Sequence, residues 1–129
     1  MKSTTKFLDS NIIIYAFTKN KLKEDCRALI RSEELLTNTL VLVESYSKIK
    51  AIVDDMQAKT TIINLYKQPN IKIIDLDKNL LFEAMKRYQK YKLKISDLIH
   101  YTTALLNNCP EIVSYDKHFD VLEIKRTTP

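Results

Sequence analysis

The sequence predicts an α/β protein: a three-layer α/β/α sandwich built around a mainly parallel sheet. Three observations lead there. Short runs rich in Ile, Leu and Val alternate along the chain with longer segments of helical spacing. Strands separated by helices pair in parallel, since parallel strands need crossover connections. The chain's 129 residues, 45% hydrophobic and 29% charged, suffice for one globular domain over 1–129 that buries roughly two-thirds of its unfolded surface.

TKFLD, residues 5–9, reads as the first strand, and NIIIYAF, 11–17, starts a helix. KLKEDCRALIRSEELL, 21–36, is a helix with Leu22, Cys26, Leu29 and Ile30 on one face, and Leu29, Leu35 and Leu36 are assigned to the core. TLVL, 39–42, is a strand running directly into the helix VESYSKIKAIV, 43–53. The helix at 54–68 opens on two acids, which suit its positive dipole end. NIKIID, 70–75, is a strand after Pro69, and 77–92 forms a long helix. SDLIHYTTALLNN, 96–108, is capped by Ser96 or Asp97 and ends on Asn before Pro110. EIVSYD, 111–116, and VLEIKR, 121–126, are strands flanking DKHFD. Because the chain contains no glycine, turns with positive φ fall to Asn20, Asn38, Asn70, Asn107 and Asn108.

Composition narrows the function. Twenty-one Lys and Arg against 16 Asp and Glu give a net charge of +5, which favours an anionic partner, nucleic acid first. Cys26 and Cys109 have neither metal-type spacing nor disulfide density and read as small buried hydrophobes in a reducing compartment. The start is basic at Lys2, but Asp9 interrupts the apolar stretch before a signal peptide is built, and no apolar run approaches a membrane span. A cytoplasmic protein with no membrane partner is expected.

In a parallel α/β sheet, ligands bind beyond the carboxyl ends of the strands. Asp9 ends the first strand and Asp116 ends the strand IVSY, so both belong to that edge. Glu44 falls at the start of the helix leaving the second strand, and Asp97 in the first turn of the helix preceding the Asp116 strand. Each acid has a local explanation: Asp9 and Asp97 as caps, Glu44 paired with Lys48, Asp116 turning the chain. Together they would repel unless a cation lay between them. Hard carboxylate oxygens suit Mg²⁺ or Mn²⁺, whereas zinc favours His or Cys.

Four stretches, FLDSN at 7–11, LVLVES at 40–45, ISDLIHYTTAL at 95–105 and IVSYDKHF at 112–119, resemble the PIN domain family in order and spacing, most closely its single-domain VapC-type toxins. The resemblance spans nearly the whole chain. It implies a PIN-like fold and a metal site for RNA cleavage made by Asp9, Glu44, Asp97 and Asp116, with Asn11 and Ser114 as polar supports and Asp120 as a weaker fifth acid. Leu98 stands where the family often has a small residue, and Tyr115 is also bulky, which bears on the shape of the substrate groove. His100 and His118 are near enough in sequence to the acids for proton transfer, but the metal chemistry needs neither, so both stay outside the expected site.

KRYQKYKLK, residues 86–94, holds five cations around Tyr88 and Tyr91 and reads first as a solvated helix face, second as part of an RNA track. The expected function is a Mg²⁺- or Mn²⁺-dependent endoribonuclease, the toxin of a type II toxin–antitoxin pair. Its expected partners are RNA and a small antitoxin, with room for a homodimer. The alternatives are a housekeeping RNA-processing nuclease and a catalytically silent PIN-like binding module. A receiver-like signalling domain fits less well, because that fold places a pair of acids after its first strand and KFLDSN supplies one.

Overall fold

The computed structural model describes residues 4–129, so the basic start at Lys2 lies outside the described residues. Five strands, β1 (Lys6–Leu8), β2 (Leu35–Asn38), β3 (Ile71–Ile74), β4 (Glu111–Val113) and β5 (Lys125–Thr127), form one sheet in the order β3-β2-β1-β4-β5. Every neighbouring pair is parallel. Six helices connect them: α1 (Ser10–Ala16), α2 (Lys23–Ser32), α3 (Thr39–Ile52), α4 (Asp55–Lys67), α5 (Lys78–Lys86) and α6 (Ile95–Leu106), with a 3-10 turn at Lys117–Val121. Helices α1 to α4 pack against one another as one group, and α5 and α6 as a second pair. The sandwich is the expected one. No helix among the described residues is long and apolar enough to cross a membrane.

The central strands are apolar on both faces, as a sheet covered on both sides requires: Phe7, Leu8, Leu35, Leu36, Ile112 and Val113 are all buried. That requirement corrects the sequence reading. Leu35 and Leu36 belong to β2, and the expected helix at 21–36 ends at Ser32. TLVL, expected as a strand, is the first turn of α3, started by Asn38, whose Oδ1 accepts the Val41 N–H at 2.8 Å. The long helix expected over 77–92 stops at Lys86, where the chain turns off to bury Tyr91 edge-on against Tyr101, with ring centroids 5.3 Å apart. The helix expected from Ser96 starts at Ile95 and has no side-chain cap, which leaves the Asp97 carboxylate unspent.

The asparagines solve the lack of glycine mostly by side chain. Among the described non-glycine residues only Asn108 has positive φ, at 57°. There it ends α6 with two reverse bonds, Cys109 N to Ala104 O at 2.9 Å and Asn108 N to Leu105 O at 3.2 Å, the Schellman arrangement. Asn20 turns the chain by accepting from Leu22 N, and Asn70 donates to the carbonyls of Ile30 and Glu33.

Candidate active site

All strands point the same way, so the ends of β1 and β4 fall at one edge, where α1 and α6 begin. Asp9 follows β1 and is buried, 4% exposed. It is also the N-cap of α1, its Oδ1 accepting Ser10 N–H at 2.8 Å, so the capping explanation holds for one of its two oxygens. The other, Oδ2, accepts from Ser114 Oγ at 2.6 Å and Asn11 Nδ2 at 3.3 Å. Asn11 also donates to Ser114 Oγ at 3.0 Å and accepts Tyr115 N–H. Asn11 and Ser114, expected as supports, thus lock the end of β1 to the end of β4.

Asp97 sits in the first turn of α6, and Asp116 caps the 3-10 turn, accepting His118 N–H at 2.9 Å. The His118 ring, 65% exposed, approaches both: Nδ1 lies 3.1 Å from Asp116 Oδ1 and 3.9 Å from Asp97 Oδ2. Glu44, in the second turn of α3, makes no ion pair with Lys48; its Oε1 meets His100 Nε2 at 2.7 Å. The structure therefore brings each of the four acids toward one edge, with a histidine on Glu44 and another on the Asp97–Asp116 pair. Asp120 does not join them, being tied to Arg126 by a fork at 2.7 and 3.3 Å that holds its carboxyl below the usual range.

Electrostatics show how close the acids are. Burial pushes the Asp9 carboxyl above the ordinary carboxylate range and Glu44 adds to the push, while the His100 ring, the Ser114 hydroxyl and the Ser10 amide hold it back. Asp97 is raised by burial first, then by the charges of Asp116 and Asp9, against the pull of the two histidines. The donor set fits a hard divalent cation, and Asp97, Asp116 and His118 offer ligand atoms all within 4.8 Å of one another. His118 adds a nitrogen that the sequence reading left aside.

The two bulky residues at the site turn away from it. Leu98 is fully buried, and the Tyr115 ring packs edge-on against Tyr15, with its hydroxyl 3.8 Å from Cys26 Sγ. The basic stretch divides. Lys86 and Arg87 pair with Glu83, and Lys90 pairs with Glu123. Lys92 and Lys94 instead line a cavity of about 380 Å³ with Lys117, His118, Leu93 and Val121. Through His118 that cleft adjoins Asp97 and Asp116.

The model of the PIN domain matches residues 6–125. The chain belongs to the PIN domain family. Solved structures of similar fold include Mycobacterium tuberculosis VapC20, a sarcin-ricin loop cleaving toxin, at a TM-score of 0.82 and 12% identity over 95% of this chain and 98% of that one. A toxin–antitoxin complex from Klebsiella pneumoniae has a TM-score of 0.73 at 18% identity, covering 96% of this PIN domain chain and 97% of its own. VapBC2 from Rickettsia felis, bound to a promoter DNA fragment, has a TM-score of 0.72 at 15% identity, with 96% and 98% covered. No curated protein sequence matches the chain.

Proposed function

We infer that this PIN domain is a metal-dependent endoribonuclease hydrolysing phosphodiester bonds in RNA, and the toxin of a type II toxin–antitoxin pair. The observation that carries this reading is the gathering of Asp9, Glu44, Asp97 and Asp116 at one strand edge, with Asp9 and Asp97 both held above their ordinary pKa. Carboxylates kept together at that cost suit a cation. These four residues would hold Mg²⁺ or Mn²⁺, with His118 at the rim. When bound, the ion supplies Lewis acidity toward a phosphate oxygen and a more acidic water. The chain's own residues do the rest: Ser114 and Asn11 orient Asp9, and Lys92, Lys94 and Lys117 neutralise flanking phosphates. Likeness to VapC20, a sarcin-ricin loop cleaving toxin, supports the substrate class, and likeness to toxin–antitoxin complexes supports the antitoxin partner.

Incubation with total RNA tests the reading. Fragments are expected with Mg²⁺ or Mn²⁺ and none in excess chelator; RNA bound but never cut would favour the silent module. Expression alone should arrest growth and coexpression with the antitoxin should restore it, its tail offering an Arg whose guanidinium pairs with the acidic edge. A chain harmless in cells yet active on RNA in vitro would favour a housekeeping processing nuclease. For that partner, Leu29, Leu35 and Leu36 are buried, and the exposed apolar residues include Met56, Ile63 and Tyr66 on α4 and Leu81, Phe82 and Met85 on α5.

The lysine cleft carries its own expectation. Replacing Lys92, Lys94 and Lys117 by Gln should weaken RNA binding and shrink the slope of log affinity against log salt by about 2, given about 0.7 per single-strand phosphate contact. Lys90→Gln, which removes a cation already paired with Glu123, should leave the slope nearly unchanged. Equal slopes for the triple variant and the parent would make the stretch the solvated face the sequence suggested.

A further inference from the structure

His100 is the buried polar side chain for which the site chemistry has no role. It lies in α6, 1% exposed, its ring tilted against Phe7 with centroids 5.8 Å apart. Its two ring nitrogens face different groups: Nδ1 is 3.1 Å from Asn38 Nδ2, and Nε2 is 2.7 Å from Glu44 Oε1.

Asn38 decides which nitrogen bears the hydrogen. Its Oδ1 accepts the Val41 N–H that caps α3, so turning the amide over would set two donors face to face. Its Nδ2 hydrogens must then go to Thr103 Oγ1, at 2.9 Å, and to His100 Nδ1. The Thr103 hydroxyl hydrogen is already committed to the Ile99 carbonyl at 2.7 Å, which leaves its oxygen as the acceptor. Nδ1 therefore presents a lone pair, and the ring hydrogen sits on Nε2, aimed at the Glu44 carboxylate.

We propose that His100 is a positioning residue: a chain of hydrogen bonds from the α3 cap through Asn38 and His100 fixes one oxygen of Glu44 and leaves the other, Oε2, for a cation shared with the acidic edge. The proposal rests on the metal-site reading above. Glu44 is half-buried and has no other hydrogen-bond or ion-pair partner among the described residues. Without His100 its side chain would have to be ordered each time a cation bound. Asn38, Thr103 and His100 are all buried, so the donor is held by the packing of α6 on β2 rather than by solvent-exposed groups.

Two substitutions separate the ring's two contacts. Asn at this position places an oxygen near Nδ1, which satisfies Asn38 but does not reach Glu44. Gln places an amide N–H near Nε2 and keeps the Glu44 contact. In calorimetric titration of the full chain with Mn²⁺, His100→Asn should weaken binding by roughly 10–100-fold, the usual cost of losing an outer-shell partner, while His100→Gln stays within about threefold of the parent. In a Glu44→Gln background, His100→Asn should cost nothing further. A long-range ¹H–¹⁵N spectrum of the unmodified protein should show the hydrogen of His100 on Nε2; this needs no variant, so it decides the matter even if His100→Asn does not fold. Hydrogen found on Nδ1, or equal Mn²⁺ affinities for parent, His100→Asn and His100→Gln, would overturn the proposal. A flat titration for the parent itself would instead bring down the metal-site reading and the positioning role with it, and the parent curve alone tells that case from the others.

Discussion

Replacing Asp9 by Asn should reduce RNA cleavage by more than about 100-fold, beyond what loss of an outer-shell partner costs. Asp9 is the acid most enclosed by the fold, and its Oδ2 is held on Ser114 and Asn11. The amide keeps the size of the side chain but cannot keep both oxygens as acceptors, and its neutral group draws a cation far less. Circular dichroism should show an unchanged fold, since one oxygen still caps α1 through Ser10 N–H. The same substitution at Asp120, tied to Arg126 outside the cluster, should leave cleavage within about threefold, as surface changes away from a site usually do. Full cleavage by the Asp9 variant would remove the proposed site at its centre.

The second large effect is on stability. Asp9 and Asp97 have folded-state pKa values raised above their ordinary one. Below that ordinary value both states carry the proton and the shift costs nothing. As pH rises through it, the unfolded chain ionises first, so metal-free stability should fall until the folded acids ionise as well. Mn²⁺ or Mg²⁺ should reverse this, because the ion takes the place of the protons, and binding should therefore strengthen with pH and release protons. At a hundredfold excess over Kd, mass action contributes about 2.7 kcal/mol, which in a chain of this size is a rise in Tm of roughly 10 °C. Thermal melts at pH 5 and pH 8, with and without the ion, read both signs: the metal-induced rise should be the larger at pH 8. No rise at millimolar ion at either pH would show that the acids do not act as one site.

The shared edge of the four acids was legible from the sequence because they follow strands or lie in the first two turns of helices, and a parallel sheet sends such positions to one edge. Asp9 and Asp116 needed only the ends of FL and IV to be located. The second strand was harder. LLTN and TLVL are both short apolar runs, and periodicity does not tell a buried strand from a helix start. Asn38, with an N–H three residues on to cap, was the local signal that separates them. The surroundings of the histidines were not legible for another reason. Spacing places His100 one turn after Asp97, but its partners, Asn38 at the end of β2 and Glu44 in α3, become neighbours only when α6 packs on β2. The lysines divided the same way, because Glu83 and Glu123 claim three of the cations and leave Lys92 and Lys94 facing the cleft.

The bond between Ser114 and Asp9 joins residues 105 apart in the chain. A nascent polypeptide that has not yet emerged past β4 lacks the Ser114 hydroxyl that holds Asp9 Oδ2 and has no Asp116 beside Asp97, and the central position of β1 stays open on one side. On the proposed function, synthesis itself acts as a safety catch: the ribosome making the chain meets an assembled acidic edge only after β4 has emerged. Loop closure over that span also makes assembly of the edge a slow step relative to helix formation.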